Sequence, residues 1–270
     1  MEHNSSNSFT YSVIDNEVTI TGYSGQPEFI VIPNEIDGHP VTEIRDNAFY
    51  QCSTLKQIIF PDSLRHMGHH CFYQCTSLES ADLPEDLIDM GMGCFCQCSS
   101  LSYVTLPENM TVVPDSCFRN CVSLTEITIP DNVVEIEKFA FSGCSALSSV
   151  SIDEKLSAIG DFAFFMCDSL NEIYIPPSVD RFGVEALGYT PDSSGHTVTD
   201  SFCVLAEAGS PAENYAENNS IELCTSGSFS LQDSSNAPVD VPDAFGIAGL
   251  ILLTAALVSV LLKKVSGKSF

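Results

Sequence analysis

Ala140-Phe141-Ser142-Gly143-Cys144-Ser145-Ala146-Leu147, running on to Val150 and Ile152, is one copy of a unit that returns every 23 residues. Its phenylalanine recurs as Phe49, Phe72, Phe95, Phe118 and Phe164, and its leucine as Leu55, Leu78, Leu101, Leu124 and Leu170. Its cysteine recurs as Cys52, Cys75, Cys98, Cys121 and Cys167. Three columns in register over six copies specify an internal repeat, and a period of roughly 20–50 residues specifies a solenoid or related array. Proline closes the first segment at Pro61, Pro84, Pro107, Pro130 and Pro176, with Asp153 in its place in the fifth unit. A second apolar pair follows: Leu64/Met67, Leu87/Met90, Met110/Val113, Val133/Ile136, Leu156/Ile159 and Val179/Phe182.

Within the unit, Leu124-Thr125-Glu126-Ile127-Thr128-Ile129 ends in an alternation of polar and apolar residues, the period of a half-buried strand. Proline then stops the strand and turns the chain. Twenty-three residues are too few for two helices and their connections. They hold one short strand, a tight turn and a second extended or 3₁₀ segment. Stacked coils would join their strands into a parallel sheet at about 4.8 Å, and seven coils would make a rod or shallow arc about 30–35 Å long.

The unit resembles the BspA-type leucine-rich repeat of surface proteins from anaerobic bacteria and some protozoan parasites, over about residues 9–221. Phe9-Thr10-Tyr11, Thr21-Gly22-Tyr23, Ile32-Pro33 and the run Gly38-His39-Pro40-Val41-Thr42-Glu43-Ile44 resemble that family's opening coil, and Asp37-Gly38 marks a five-residue insertion. Ala208-Gly209-Ser210-Pro211-Ala212 with Asn214-Tyr215-Ala216 resembles its closing cap. Leu187 and Thr190 stand where phenylalanine and cysteine are expected, as suits an end unit covering an open core. The resemblance implies a leucine-rich repeat solenoid, mainly β, that mediates protein–protein binding and adhesion.

The expected organisation is a disordered N-terminus (1–8), an opening coil (9–48), the solenoid (49–187), a C-terminal cap (188–224), an acidic stalk (225–243), a transmembrane helix (244–262) and a basic cytoplasmic tail (263–270). Residues 244–262 carry no charge and would span about 28 Å as a helix, close to a bilayer core. Lys263, Lys264 and Lys268 follow, which places the tail inside and the repeats outside. Residues 1–9 hold no apolar run of a secretory signal. Export is therefore expected to rely on sequence ahead of Met1 or on a route without a recognisable signal.

Nine of the twelve cysteines fall on repeat columns. Six form the thiol column Cys52, Cys75, Cys98, Cys121, Cys144 and Cys167, which sits at a turn where a thiol or asparagine can satisfy loop backbone groups. Cys71, Cys94 and Cys117 share a small-residue column with Ala48, Ala140, Ala163 and Ala186, which reads as core packing. A disulfide ladder down a column is disfavoured, because parallel side chains about 4.8 Å apart do not meet the roughly 3.8 Å a bridge needs. Cys203 and Cys224 lie off the columns and are open to pairing across the cap. Cys94-Phe95-Cys96-Gln97-Cys98, one coil after His66, His69 and His70, has the residue types of a zinc site. Phe95 must point into the core, Cys96 then faces away from Cys94 and Cys98, and no metal or cofactor is expected.

A net charge of −26 with only ten lysines and arginines removes the basic face that nucleic-acid binding requires. No glycine-rich phosphate loop, His-Glu-x-x-His or Gly-x-Ser-x-Gly is present, so no enzyme is expected. The outward strand positions form two columns: Gln57, Ser80, Tyr103, Glu126, Ser149, Glu172, and Ile59, Asp82, Thr105, Thr128, Ser151, Tyr174. Ile59, Tyr103, Thr105, Glu126, Thr128, Glu172 and Tyr174 are the candidate contacts for a protein ligand on other cells or extracellular matrix, tyrosine offering large area with a polar tip. The competing expectation is a structural envelope component that self-associates.

Overall fold

In the computed structural model, which describes residues 2–4, 9–193 and 195–224, each coil has three sides, and each side is stitched to its neighbours by hydrogen bonds. On the first side nine parallel rungs follow one another: Phe29–Val31, Gln57–Ile59, Ser80–Asp82, Tyr103–Thr105, Glu126–Thr128, Ser149–Ser151, Glu172–Tyr174, Cys203–Leu205 and Glu222–Leu223. Their middle residues, such as Ile58, Ala81, Val104 and Ile127, are buried, and the residues on either side point outward. Hydrogen bonding divides the rungs into sheets of four, two and three strands. Six of the nine rungs belong to the six Phe–Cys units, the opening coil contributes Phe29–Val31, and the cap contributes Cys203–Leu205 and Glu222–Leu223.

The second side carries two-residue strands from His66–Met67 to Arg181–Phe182. It keeps the second apolar pair inward: Leu64, Met67, Val133 and Ile136 are all buried. The third side is a turn. There each phenylalanine N–H donates to the carbonyl of the small-residue column one coil on, as Phe49 to Cys71 (2.9 Å), Phe118 to Ala140 (2.8 Å) and Phe164 to Ala186 (2.9 Å). The side chains of that column are buried between the closely bonded coils, where only the small groups alanine and cysteine stand.

Six phenylalanines form the spine of the core. Phe49 through Phe164 are no more than 1% exposed, and successive rings stack at 4.9 to 5.7 Å with planes within 13° of parallel. Residues two before and two after each ring adopt positive φ: His70 (54°) and Gln74 (59°), Phe139 (57°) and Gly143 (78°), Phe162 (55°) and Met166 (59°). These left-handed residues turn the chain sharply enough to close a three-sided coil, and each non-glycine one costs about 1–2 kcal/mol. Close stacking also dictates Gly91, where a Cβ would sit 2.4 Å from the His69 nitrogen and 2.5 Å from the Gly68 carbonyl carbon.

Both ends are covered. At the N-terminus Phe9–Ile14 and Glu17–Tyr23 form an antiparallel hairpin whose Asp15 (53°) and Asn16 (66°) provide the left-handed pair of a two-residue turn. Tyr23 stacks on Phe49 at 5.7 Å and so closes the ring ladder. Within the stretch 1–8 only Glu2–Asn4 is described, and it pairs antiparallel with the hairpin, Glu2 opposite Ser12 and Asn4 opposite Thr10. An open sheet edge offers unpaired backbone groups to any adjacent chain, and the polar N-terminus takes them. At the far end a hairpin, Tyr189–Asp192 with Gly195–Val198, interrupts the beat, and buried Phe202 packs on Gly188. The helix Pro211–Asn218 then seals the core, with Ala212 and Ala216 buried. Ser210 caps it by accepting the Glu213 N–H at 3.2 Å, and Pro211 opens its first turn. Tyr215 stacks on Phe182 at 4.4 Å and accepts the Ala186 N–H at 3.1 Å.

Among the described residues no helix is long and apolar enough to cross a membrane. The expected stalk (225–243), membrane helix (244–262) and tail (263–270) lie outside the described residues.

Candidate functional site

The first side presents the expected contacts as one strip, because parallel pairing sets Tyr103 beside Ser80, Thr105 beside Asp82, and Glu126 and Thr128 beside Ser149 and Ser151. Tyr103 is 48% exposed and Ile59 39%. Thr105, Glu126, Thr128 and Glu172 are exposed, whereas Tyr174 is half-buried. Thr105 Oγ1 donates to the Tyr103 hydroxyl at 3.0 Å and fixes its orientation. Tyr103, Thr105, Glu126 and Thr128 line one shallow depression of about 240 Å³. Ile59 borders a separate one of about 570 Å³, with Asp82 on the sheet and Asp62, Glu85 and Asp86 on the turns. Glu172 and Tyr174 lie farther along and join neither. Burial first, then the charges of Glu207 and Glu154, raises the Tyr174 hydroxyl pKa above its ordinary value.

Two residues of this strip were missed by reasoning from the 23-residue beat. Phe29 is 46% exposed and Val31 49%, and they stand in register beside Gln57 and Ile59. They precede the first Phe-Cys pair, so no column marks them. The signal was Pro33: counting back from Pro130 reaches Thr128 and Glu126, and the same count from Pro33 reaches Val31 and Phe29.

The strip is acidic. Asp82, Glu126 and Glu172 point outward from it. The two lysines near it are engaged: Lys56 pairs with Glu28 at 2.9 Å, and Lys155 donates to Asn132 Oδ1 at 3.0 Å.

The cysteine column has a second role besides packing. Cys75 Sγ donates to the Phe49 carbonyl at 3.3 Å, Cys98 to Phe72 at 3.1 Å, Cys121 to Phe95 at 3.2 Å, Cys144 to Phe118 at 3.1 Å and Cys167 to Phe141 at 3.3 Å. Each thiol satisfies a buried carbonyl of the coil before it, and Cys52 is buried at the head of the column. Burial raises the Cys144 pKa to about 12 and the Cys96 pKa to about 11, and lifts Cys75, Cys94, Cys98, Cys117, Cys121 and Cys167 well above the ordinary range. Such thiols are poor nucleophiles and poor metal ligands at neutral pH.

The run around Cys96 does not converge on the histidines. Cys94 and Cys98 are core residues, and Cys96 is buried outside the core cluster. His66 Nδ1 lies 3.0 Å from Asp89, His69 Nδ1 accepts the Met92 N–H at 2.9 Å, and His70 packs edge-on against Tyr73. Among the described residues one group of three, Glu172, Cys203 and Cys224, has ligand atoms close enough together for a metal ion. Its two sulfurs are already joined, because Cys203 and Cys224 form a disulfide, with Cα atoms 5.2 Å apart. The bridge fastens the last two rungs, whose backbones pair in parallel.

No curated protein sequence matches the chain closely enough to count as a relative. Among solved structures, a leucine-rich repeat protein of T. pallidum superposes with a TM-score of 0.61 at 30% identity, over 68% of this chain and 86% of that one. A leucine-rich cell surface protein of Faecalibacterium prausnitzii gives 0.61 at 25% identity, over 73% of this chain and 60% of that longer one. A leucine-rich repeat protein of Eubacterium ventriosum shares the fold alone, at 21% identity and a TM-score of 0.55. Residues 26–133 and 111–194 match the model of the BspA type leucine rich repeat region in six copies. With its phenylalanine spine, its thiol-bonded turns and that match over more than half its length, the chain belongs to the BspA-type leucine-rich repeat family.

Proposed function

We propose that this protein is a cell-surface binding module that holds protein ligands on the strand side of its solenoid, in adhesion to a host or to neighbouring cells. The observation that carries the reading is the strip itself. Its rungs place Ile59, Tyr103, Glu126 and Thr128 outward, where they contribute nothing to the core. Exposed tyrosine beside short polar residues suits protein contacts. The printed description of the Faecalibacterium prausnitzii neighbour as a cell surface protein supports the same location. In this reading residues 244–262 anchor the chain in the membrane, the repeats face outward and no catalysis is involved.

The test is capture of surface proteins from candidate host or neighbouring cells by the full chain, compared with Tyr103→Ala and Glu126→Ala variants. The reading expects a captured protein whose binding falls about tenfold in the Tyr103 variant. Capture that is indifferent to both substitutions would place the binding elsewhere. Self-association in place of capture would favour an envelope component. The anchor has its own test, since deletion of residues 244–262 should move the chain from the membrane fraction to the soluble one.

A further inference from the structure

Phe29, Val31 and Ile59 put three exposed apolar side chains on two adjacent rungs at the N-terminal end of the strip. A strand face in water favours polar residues at such positions, as Ser149, Ser151, Thr105 and Thr128 show farther along. Contiguous exposed apolar residues with a polar rim are the mark of a contact surface. Beside them the depression of about 570 Å³ is rimmed by Asp62, Asp82, Glu85 and Asp86. Asp86 is held by Arg65 at 3.2 Å. Asp62, Asp82 and Glu85 have no ion-pair partner among the described residues. Apolar anchor and unneutralised carboxylates thus meet at one place, on a chain whose net charge is −26.

We propose that this corner docks a polypeptide segment of another protein in which apolar side chains are flanked by lysine or arginine. The apolar residues cover Phe29, Val31 and Ile59, and the flanking cations reach Asp62, Asp82 and Glu85. Charge complementarity selects the partner class. An acidic or purely apolar segment would leave those carboxylates desolvated without compensation. The proposal rests on the strand side being the binding side, and it names the chemistry recognised at one end of it.

The test uses the full chain and fluorescence anisotropy with three labelled peptides. The probe has about three leucines between blocks of about three lysines; one control replaces the leucines with serine, the other the lysines with glutamate. The leucine–lysine peptide is expected to bind about tenfold more tightly than the serine–lysine peptide, with no binding of the glutamate peptide. Ile59→Ser and Val31→Ser should erase the leucine advantage. Asp82→Asn with Glu85→Gln should weaken both cationic peptides. Val184→Ser, an exposed apolar residue off the strip, is the control for surface hydrophobicity and should change nothing. Equal affinity for the leucine and serine peptides would overturn the proposal, since general attraction to an acidic chain would then account for all binding. So would a leucine advantage that survives Ile59→Ser and Val31→Ser. If the peptides fail while capture remains sensitive to Tyr103→Ala, this corner is refuted and the wider reading stands; if capture also ignores Tyr103, both fall.

Discussion

Cys94→Ala combined with Cys117→Ala removes two buried thiols at a position where Ala48, Ala140, Ala163 and Ala186 already serve. The effect belongs at alkaline pH. Burial holds Cys75, Cys94, Cys98, Cys117, Cys121, Cys144 and Cys167 protonated above their ordinary pKa of 9.0. Between 9.0 and the raised value, the unfolded chain releases a proton that the folded chain keeps. The stabilisation is therefore fully present below pH 9.0 and is lost as pH rises through that window. Each thiol contributes about 1.4 kcal/mol per pH unit, and the seven together about 10 kcal/mol per unit. Set against a stability of about 5–15 kcal/mol, the protein should unfold within about one to two units above the thiol range. The double variant should lose about 2.7 kcal/mol per unit of that slope. Urea unfolding followed by far-UV circular dichroism, in deoxygenated buffers from about pH 8 to about pH 10.5, gives both slopes. An identical slope in the two proteins would refute the argument that the buried thiols set the alkaline limit.

Other outcomes follow from single contacts. Gly91→Ala drives a methyl into the backbone of the preceding coil and should lower stability by about 1–3 kcal/mol in the same urea assay, whereas a change under about 0.5 kcal/mol would mean the coils can separate locally. Met166→Gly relieves a left-handed residue at the column where Gly143 already stands, and should raise stability by about 0.5–1 kcal/mol; destabilisation would show that the Met166 side chain contributes more than its strain costs. Reduction of Cys203–Cys224, which encloses a separation of 21 residues, should cost about 3 kcal/mol and expose the cap to proteolysis before the coils, as limited digestion with and without reductant would show.

The repeating part of the fold was legible because translation writes itself into sequence. A ring that stacks on its neighbour every coil must recur, and Phe49 to Phe164 do. The same logic explains what escaped. The hairpin at Tyr189–Val198 and the helix Pro211–Asn218 occur once, so no second copy exposes them. The Cys203–Cys224 bridge, left open by the sequence as a pairing across the cap, depends on two rungs being adjacent, which only the structure shows. The Cys52 column is legible as thiols at a turn that satisfy backbone groups, but which group each meets, the phenylalanine carbonyl 26 residues back, depends on the offset between turn and ring. In the candidate site, spacing located the outward columns but not the depth of each position. Tyr174, read as an open contact, is half-buried, with Leu205 of the cap in register beside it, and Phe29 and Val31 carry exposure that no column predicted.

The three-residue rungs have a consequence for how such a surface can change. The middle residue is committed to the core, and the main chain is committed to neighbouring coils. The two flanking side chains carry no folding obligation. Recognition and foldedness are thus written in different letters of the same word. Substitution at Tyr103 or Thr105 can redirect binding while the frame beneath it stays fixed, and each coil offers the lineage two such free letters.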